Sequence, residues 1–437
     1  MQRLNPRRKP QQSAQRGSWR ALSWVPSLYF AEGLPYVVVM TVAGIMYKCL
    51  EVSNTEIALY TAWLYLPWVV KPLWSPFVDI FGTKRRWILW MEWGLAASLA
   101  GVGLTIPLPG FLAWTLTMFW LMAFISATHD IAADGFYMLG LPEREQAALV
   151  GVRTLFYRLA MIAGQGGVVV IAGYVARVRP MAQAWQWAMA ALATLFVLLA
   201  LWHSFALPRP GSDRREEAAG ERLTVRTVLR EFWATVTSFF AKPGIGVALL
   251  FMLLYRFPEA QLVKLIGPFL LDSHAAGGLQ LPTEQVGMAY GTFGIAALIV
   301  GGIVGGLIVA AKGLRRCMMP MALAMSLTCA TFVYLSYTPA SPLWVVYLCV
   351  ALEQLGYGFG TTAYTLYLIN FSHGARSTSH YAICTGLMAL GMMLPGMAAG
   401  WLQELLGYQA FFIYTLGACA ITLAVTAAAR RPLRSLR

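Results

Sequence analysis

The sequence predicts an all-α membrane protein with twelve transmembrane helices in two six-helix halves. Three observations predict this fold class. First, 58% of the residues are hydrophobic and 12% are charged, which excludes an ordinary soluble domain of this length. Second, apolar stretches of about twenty residues, enough to cross a bilayer core of roughly 30 Å, recur along nearly the whole chain. Third, one long polar segment divides these stretches six and six.

Each predicted span is an apolar stretch that ends in polar or turn-forming residues. In chain order, spans 1 to 12 are placed near 22–47, 56–80, 87–106, 111–139, 147–175, 183–206, 245–271, 286–311, 317–337, 342–370, 379–400 and 408–429. The basic leader runs straight into span 1, so no cleavable signal peptide is expected. The expected organisation is a leader at 1–20, a first half at 21–206, a linker at 207–244, a second half at 245–429 and a tail at 430–437.

The linker combines a flexible part with a helical part. Residues 208–221 are rich in Pro, Gly and charge, which is typical of a flexible connection. Beyond them, apolar residues recur at helical spacing with Arg222, Arg226 and Arg230 between them. This pattern predicts a basic amphipathic helix that lies on the cytoplasmic membrane surface and tethers the halves.

The net charge of +14 could suggest a nucleic-acid partner, but its distribution indicates membrane topology. Most Lys and Arg residues lie in the leader, the linker, the tail and alternate connections between spans. The opposite side carries only Lys48, Arg177 and Arg179. By the positive-inside rule both termini are cytoplasmic, and the basic segments contact anionic lipid rather than nucleic acid.

Recognisable enzyme chemistry is missing from the sequence. The six cysteines show neither paired spacing nor a metal-ligand pattern, so neither a structural disulfide nor a metal site is expected. No phosphate-binding loop, His-based metal motif or nucleophile elbow occurs. We therefore expect neither an enzyme nor an ATPase, and no cofactor.

Ionisable residues inside the apolar spans are the strongest functional signal. They are costly at membrane depth and by default mark a substrate or ion pathway. Five occur on spans 1, 4, 7 and 10, namely Glu32, Asp130, Arg256, Glu259 and Glu353. Spans 1 and 7 also place a proline beside a carboxylate, and a matched pair of interrupted spans is the best sequence indication of a transporter binding site. In spans 3, 6, 9 and 12 the one charge that looks buried is Glu92.

Helical rise indicates how deep these charges lie. At 1.5 Å per residue, Glu32, Arg158 and Arg256 lie roughly 15–17 Å from the cytoplasmic ends of their spans, and Glu353 has a similar depth from the outer side. Asp130 and Asp134 are one helical turn apart, so each raises the proton affinity of the other unless a cation lies between them. Asp130 is therefore the first candidate for a coupling proton, and a structural pair with Arg158 is the alternative.

Several of these side chains have two readings. Arg256 can clamp a substrate carboxylate with its planar fork, or it can simply neutralise Glu259. Lys71 on span 2 is a second candidate clamp. Lys264 is expected to reach the outer interface, and His129 is either a proton relay or a packing histidine.

Short motifs indicate a family. Residues 79–86, Asp-Ile-Phe-Gly-Thr-Lys-Arg-Arg, resemble the cytoplasmic loop of the major facilitator superfamily, in which a carboxylate and a basic cluster form a gating latch. Within that superfamily, the chain resembles the muropeptide permease (AmpG-type) and acetyl-coenzyme A transporter family at 33–35, 71–76, 126–134, 157–161, 254–256 and 353–356. The resemblance implies the major facilitator fold, transport and proton coupling. The best-known bacterial permeases of this type carry extra C-terminal spans, whereas this chain stops after span 12.

We therefore expect a secondary transporter of the bacterial inner membrane that imports anhydro-muropeptides, which are anionic glycopeptides, with protons. The alternatives are a carrier of another amphiphilic anion, such as an acyl-coenzyme A or a siderophore, and a non-transporting solute sensor. A monomer in the lipid bilayer is expected. The candidate proton-coupling residues are Asp130, Glu32 and Glu353. The candidate substrate-binding residues are Glu32, Tyr29, Tyr36, Lys71, Arg158, Tyr157, Arg256, Glu259 and Glu353. The candidate gating residues are Asp79, Lys84, Arg85, Arg86, Asp134 and Arg153.

Overall fold

The computed structural model describes residues 21–80, 82–209, 225–373 and 377–430. Within these ranges all regular structure is helical. Ten of the described helices are long and apolar enough to cross a membrane. The predicted all-α membrane fold class is confirmed.

The first half contains the helices of predicted spans 1 to 6. They are Val25–Cys49 for span 1, Asn54–Trp63 and Leu66–Ile80 for span 2, Lys84–Thr105 for span 3, Phe111–Gly140 for span 4, Glu143–Met161, Ile162–Val168 and Val169–Ala176 for span 5, and Met181–Ala206 for span 6. Span 2 is broken near its middle, so neither of its pieces has the length of about twenty residues that crossing requires.

The second half contains the helices of predicted spans 7 to 12. They are Ile245–Leu254 and Phe257–Leu271 for span 7, Thr283–Lys312 for span 8, Leu314–Thr328 and Ala330–Tyr337 for span 9, Leu343–Ser372 for span 10, and Ser377–Arg430 for spans 11 and 12. The last segment consists of two helices that meet at a kink at Gly407, where φ is 73°. Glycine allows this positive φ without a Cβ clash.

Spans 1 and 7 accommodate their prolines in different ways. Span 7 breaks at Arg256 and restarts at Phe257. Pro258 lies in the first turn of the new helix, where backbone N–H groups have no partner within the helix, so the N–H that proline lacks costs no hydrogen bond. Glu259 shares that first turn, where the helix dipole favours a carboxylate. Span 1 remains helical through Pro35 and widens into a π-helical turn at Val38–Val42. The interruption predicted for both spans is therefore complete only in span 7.

Polar pairs join the two halves at the predicted outer face. Asp272 of span 7 contacts Lys48 at 2.6 Å and accepts a hydrogen bond from Tyr408 at 2.7 Å. Asn54, at the start of span 2, donates to Gln403 at 2.7 Å. Further pairs across this face are Thr55 with Glu404 and Arg177 with Glu284. These contacts close the outer face.

Below these pairs, the backbones of spans 5 and 8 touch. Gly166 and Gly291 lie in π-helical segments, Ile162–Val168 and Gly287–Gly294. A Cβ atom added to Gly291 would lie 2.2 Å from the amide nitrogen of Gly166. Only glycine at position 291 therefore permits this approach of the halves.

Charged side chains nearer the predicted cytoplasmic face are open to solvent. The exposed fractions are 28% for Lys71, 32% for Arg153 and 38% for Asp134, although all three lie on membrane-spanning helices. A closed outer face together with these exposed charges means that the space between the halves is open toward the predicted cytoplasmic side.

The connector helix, Val225–Phe240, is attached to the second half at its end. Phe239 is buried against Phe371 and His380, with ring centroids 5.7 Å and 5.6 Å away. Lys242 donates to the carbonyl of Phe371 at 2.6 Å. Trp233 remains 62% exposed, so the helix is anchored at one end and presents an aromatic side chain outward.

Changing Gly291 to Ala should hold the outer face open. The added methyl group cannot fit against Gly166, so the halves must separate there before the helices can pack. Cys49 is a native reporter of this separation, because its thiol lies 3.5 Å from Thr283 of the other half. A membrane-impermeant maleimide should label Cys49 about tenfold faster, which corresponds to roughly 1.4 kcal/mol in the equilibrium between states.

Gly306→Ala is the matched control for this variant. Gly306 also lies on span 8, and an added Cβ there meets nothing within 4 Å. Equal labelling rates of Cys49 in the two variants would contradict the role assigned to the Gly166–Gly291 contact.

Candidate substrate and proton site

The first cluster of the site joins Lys71, Asp130 and Glu32, from spans 2, 4 and 1. Lys71 Nζ donates to Asp130 Oδ2. The carboxyl groups of Glu32 and Asp130 lie within hydrogen-bonding reach of each other. A hydrogen bond between two carboxyl groups needs a proton on one of them, because an ionised carboxylate only accepts hydrogen bonds. The cluster can therefore hold a proton beside an ammonium group.

Asp130 pairs with Lys71 and not with Arg158, its alternative expected partner. The alternative pair of Asp130 with Arg158 is not formed, because Lys71 reaches Asp130 from the facing helix. Glu32 is buried, and its Oε2 atom has no hydrogen-bond partner among the residues that the structure describes. An acceptor without a donor in this position is available to a ligand or to water.

A second cluster lies one helical turn nearer the predicted cytoplasmic face. Asp134 contacts Arg153 at 2.7 Å and accepts a hydrogen bond from Tyr29 at 3.1 Å. The Arg153 guanidinium lies over the Tyr29 ring at 4.3 Å from its centroid. Tyr29 is fully buried, so this predicted substrate-binding residue supports Asp134 and presents no free face to a ligand in this state.

Arg85, in the basic cluster after span 2, contacts the end of span 6. Arg85 donates to the carbonyls of Ser204 at 2.6 Å and Leu207 at 3.2 Å, at the end of span 6, where unpaired helix carbonyls favour a cation. Lys84 is buried and Arg86 is exposed. The side chain of Asp79 lies outside the described residues, and the latch therefore stays a prediction.

Arg256 and Glu259 form a bidentate pair on span 7. The two nitrogen–oxygen distances are 2.7 Å and 3.1 Å, and Arg256 also donates to the Tyr357 hydroxyl at 2.5 Å. Both side chains of the pair are largely buried. The guanidinium is thus already occupied, which favours the neutralising role over the substrate clamp.

Arg158 differs from the other cations of the site. Its guanidinium contacts Met161 Sδ at 3.3 Å, and within the described ranges no carboxylate pairs with it. It lies within electrostatic range of Tyr36 and of Tyr357, which belongs to the other half. A partly exposed cation without a counter-charge therefore faces the interface between the halves.

Two aromatic side chains, Tyr36 and Tyr157, lie within electrostatic range of this cation. Tyr36 packs edge-on against Trp68 at 5.3 Å and lies 6.5 Å from the Tyr157 ring. Sequence reasoning missed Trp68, Tyr65 and Tyr357. The signal for Tyr357 was present, because it follows the predicted residue Glu353 by four positions and so shares its helix face.

Two further charges lie deep between the helices. Glu353 is buried and accepts a hydrogen bond from Gln354 at 2.8 Å. Lys264 does not extend to the outer interface as expected: it is 8% exposed, donates to Thr61 of the other half at 2.9 Å and lies over the Tyr65 ring. The reason is that span 7 faces span 2 at the closed outer face, so this side chain has no direct path to solvent.

Removing one partner of the Arg256–Glu259 pair should destabilise the protein. Arg256→Met leaves the buried Glu259 carboxylate without its cation, at a cost of about 3–5 kcal/mol. Thermal unfolding in detergent should show a lower midpoint for this variant, and adding Glu259→Gln should restore most of the loss. A double variant as unstable as the single one would mean that Arg256 stabilises the fold through Tyr357 instead.

Comparisons with known proteins agree with this arrangement. No family model matches the chain. The anhydromuropeptide permease of Escherichia coli strain K12 is 27% identical over 420 residues, which cover 94% of this chain and 80% of that protein. Two solved structures are similar at a TM-score of 0.68. One is a variant of the nucleoside transporter NupG, which is 14% identical and covers 94% of this chain and 99% of that one. The other is the inward-open xylose transporter XylE from E. coli, which is 13% identical and covers 95% of this chain and 96% of that one. At these identities the structural likeness concerns the fold.

Proposed function

We propose that this chain, a secondary transporter of the major facilitator superfamily related to the anhydromuropeptide permeases, imports peptidoglycan fragments together with protons. The family resemblance expected from the sequence is confirmed by the likeness to the E. coli permease, which extends over most of both chains. The observation that supports proton coupling best is the Glu32–Asp130 contact beside Lys71, in a protein closed at its outer face.

The proton between Glu32 and Asp130 would be the coupling proton. With it, the cluster of Glu32, Asp130 and Lys71 is neutral; without it, two carboxylates face one ammonium group. A net charge between helices is costly unless water or a counter-ion reaches it. The proton therefore makes closure of the interface around the cluster favourable, and in the inward-facing state water from the predicted cytoplasmic side can remove it.

Arg158 would bind the carboxylate of the substrate. Its planar guanidinium can hold a carboxylate through two parallel hydrogen bonds, and the described structure leaves it without a carboxylate partner. The rings of Tyr36, Tyr157 and Trp68 can pack against sugar faces. Glu353 and the free oxygen of Glu32 would accept hydrogen bonds from hydroxyl or amide groups. An anionic glycopeptide presents all three kinds of group.

The remaining parts of the proposal concern the membrane. The chain is a multi-pass membrane protein. We infer the bacterial inner membrane, cytoplasmic termini and a monomeric carrier from the charge distribution and from the closed arrangement of the two halves around one site. The gating roles of Asp79, Asp134 and Arg153 belong to this proposal.

Uptake of radiolabelled anhydro-muropeptide into proteoliposomes tests the function. An acidic exterior should drive accumulation by the unmodified protein. Asp130→Asn should abolish that accumulation, because the amide cannot exchange the coupling proton, yet retain counterflow, which needs no net proton movement. Glu51→Gln, an exposed carboxylate on a connection at the predicted outer face, is the matched control and should behave as the unmodified protein. Proton-driven accumulation by Asp130→Asn would place the coupling site elsewhere.

Arg158→Gln should weaken recognition of the substrate carboxylate. A hydrogen-bonded charge pair contributes about 1.5–3 kcal/mol, so the apparent KM should rise by roughly 10- to 100-fold. The unmodified protein should lose as much affinity for a substrate whose carboxyl group is amidated, and Arg158→Gln should not distinguish the two ligands. Arg316→Gln, an exposed position in the first turn of span 9, is the control. Equal discrimination by Arg158→Gln and the unmodified protein would rule out this contact.

A further inference from the structure

A buried polar cluster in the first half is separate from the interface between the halves. It joins Ser27 of span 1, Glu92 of span 3, His129 of span 4 and His203 of span 6. Glu92 and both histidines are completely buried. His203 Nδ1 lies 2.5 Å from Glu92 Oε1, His203 Nε2 lies 2.8 Å from Ser27 Oγ, and His129 Nε2 lies 3.5 Å from Glu92 Oε1.

The number of hydrogens in these contacts allows two protonation states. Ser27 has one hydroxyl hydrogen, and its oxygen lies near both the Trp24 carbonyl, at 3.2 Å, and His203 Nε2. In the first state, Ser27 donates to the Trp24 carbonyl, so His203 Nε2–H donates to Ser27 Oγ. A second hydrogen then lies between His203 Nδ1 and Glu92, and the cluster is neutral. If Ser27 donates to Nε2, the Nδ1 hydrogen goes to a Glu92 carboxylate, and the cluster carries one negative charge.

Both states keep the contacts of Ser27, Glu92 and His203 hydrogen-bonded. They differ by one proton and by the rotation of one hydroxyl group. Changing the charge of a buried group usually leaves a hydrogen-bond donor without an acceptor, and this carries a free-energy penalty. Gain or loss of a proton by this cluster leaves no such donor. The geometry is that of a site that can gain and lose a proton at little structural cost.

His129 contacts Glu92 and is the sequence neighbour of Asp130 on span 4. Both of its ring nitrogens, and Glu92 Oε2, have no hydrogen-bond partner in the part of the chain that is described. His129 precedes Asp130 in the sequence and acts on its carboxylate electrostatically. An imidazole that is free at both nitrogens can accept a proton at one and release one at the other.

We propose that Glu92 and His203 form a second proton-binding site, and that His129 exchanges protons between this site and Asp130. The proposal rests on the proton coupling proposed above. In the forward step, the proton shared by Glu32 and Asp130 passes to His129, which becomes an imidazolium. His129 then gives a proton to Glu92, and the pair with His203 becomes neutral as Ser27 turns to Trp24. No other reactant takes part.

The charged neighbours leave this exchange open in both directions. The titratable groups that the structure places at the cluster are Glu92 on span 3, His129 and Asp130 on span 4, and His203 on span 6; span 1 contributes Glu32, five residues beyond Ser27. Arg85, at the start of span 3, donates to the carbonyls of Ser204 and Leu207 at the end of span 6. The total charge is the same before and after the proton moves. Before the transfer, the Glu92–His203 cluster is anionic and the Glu32–Asp130 contact holds the proton. After the transfer, the cluster is neutral and Asp130 is ionised beside Lys71.

Two variants separate a proton-binding role from a purely structural one. Glu92→Gln keeps a hydrogen-bonding group against His203 but cannot exchange a proton, so proton-driven uptake into proteoliposomes should slow about 100-fold, with counterflow unchanged. Ser27→Ala removes the hydroxyl that accepts from His203 Nε2 in the neutral state and donates to it in the anionic state, so the pH of half-maximal uptake should shift from that of the unmodified protein. Ser98→Ala, which removes a buried hydroxyl of span 3 that donates to the Gly94 carbonyl, is the matched control and should leave the pH profile unchanged.

Unchanged proton-driven uptake in Glu92→Gln, or an unchanged pH profile in Ser27→Ala, would overturn the proposal. If Glu92→Gln does not fold, Ser27→Ala decides. Infrared titration of the purified protein measures the protonation state of the Glu92–His203 cluster independently of transport. The imidazole–carboxylate signal should change with pH in the unmodified protein and be lost in Glu92→Gln, and a signal independent of pH would refute the second site. Failure of the unmodified protein to accumulate substrate, with a titrating signal present, would instead count against the proposed function alone.

Discussion

The cost of burying an unpaired charge between helices determines how the charges of this protein are arranged. Lys71 with Asp130 and Arg153 with Asp134 pair inside the first half, and Arg256 with Glu259 pairs inside the second. Breaking the largely buried Arg256–Glu259 pair would cost about 3–5 kcal/mol, and water offsets part of that cost for the two partly exposed pairs of the first half. Because each of these pairs stays within one half, the halves can move apart at the predicted cytoplasmic face without separating any of them.

The outer face follows the opposite rule. There the pairs cross between halves, as Arg177 does with Glu284, and the Arg177 side chain is 59% exposed. Solvent-exposed ion pairs contribute about 0–1 kcal/mol each, since water compensates when they separate. Such contacts can close a gate and release it within a transport cycle. The backbone contact at Gly166 and Gly291 adds shape specificity that a charge pair alone would not supply.

Much of the fold was predictable because apolar length and charge position are properties of the sequence itself. The ten apolar helices, the proline-linked break in span 7 and the mid-span charges follow from local patterns. Pairing was predictable only where it is local: Arg256 and Glu259 are three residues apart, so mutual neutralisation was one of two readings. Lys71 and Asp130 are 59 residues apart, and no local pattern connects them.

The same limit explains the residues whose position or role was not foreseen. Lys264 was expected at the outer interface because its depth was known but its facing helix was not; span 2 covers it. His203 meets Glu92 across two spans that are not adjacent in sequence. Depth in the membrane is therefore predictable from a single sequence, whereas the direction in which a helix faces depends on how the spans pack.

Span 4 separates the two regions of the first half that can hold protons. With 3.6 residues per turn, Asp130 and His129 point about 100° apart, so one lies toward the interface and the other toward the bundle interior. Asp130 meets Lys71 across the interface, and His129 meets Glu92 inside the bundle. A proton that passes between these neighbours moves charge from a region that opens and closes during transport to one that stays packed.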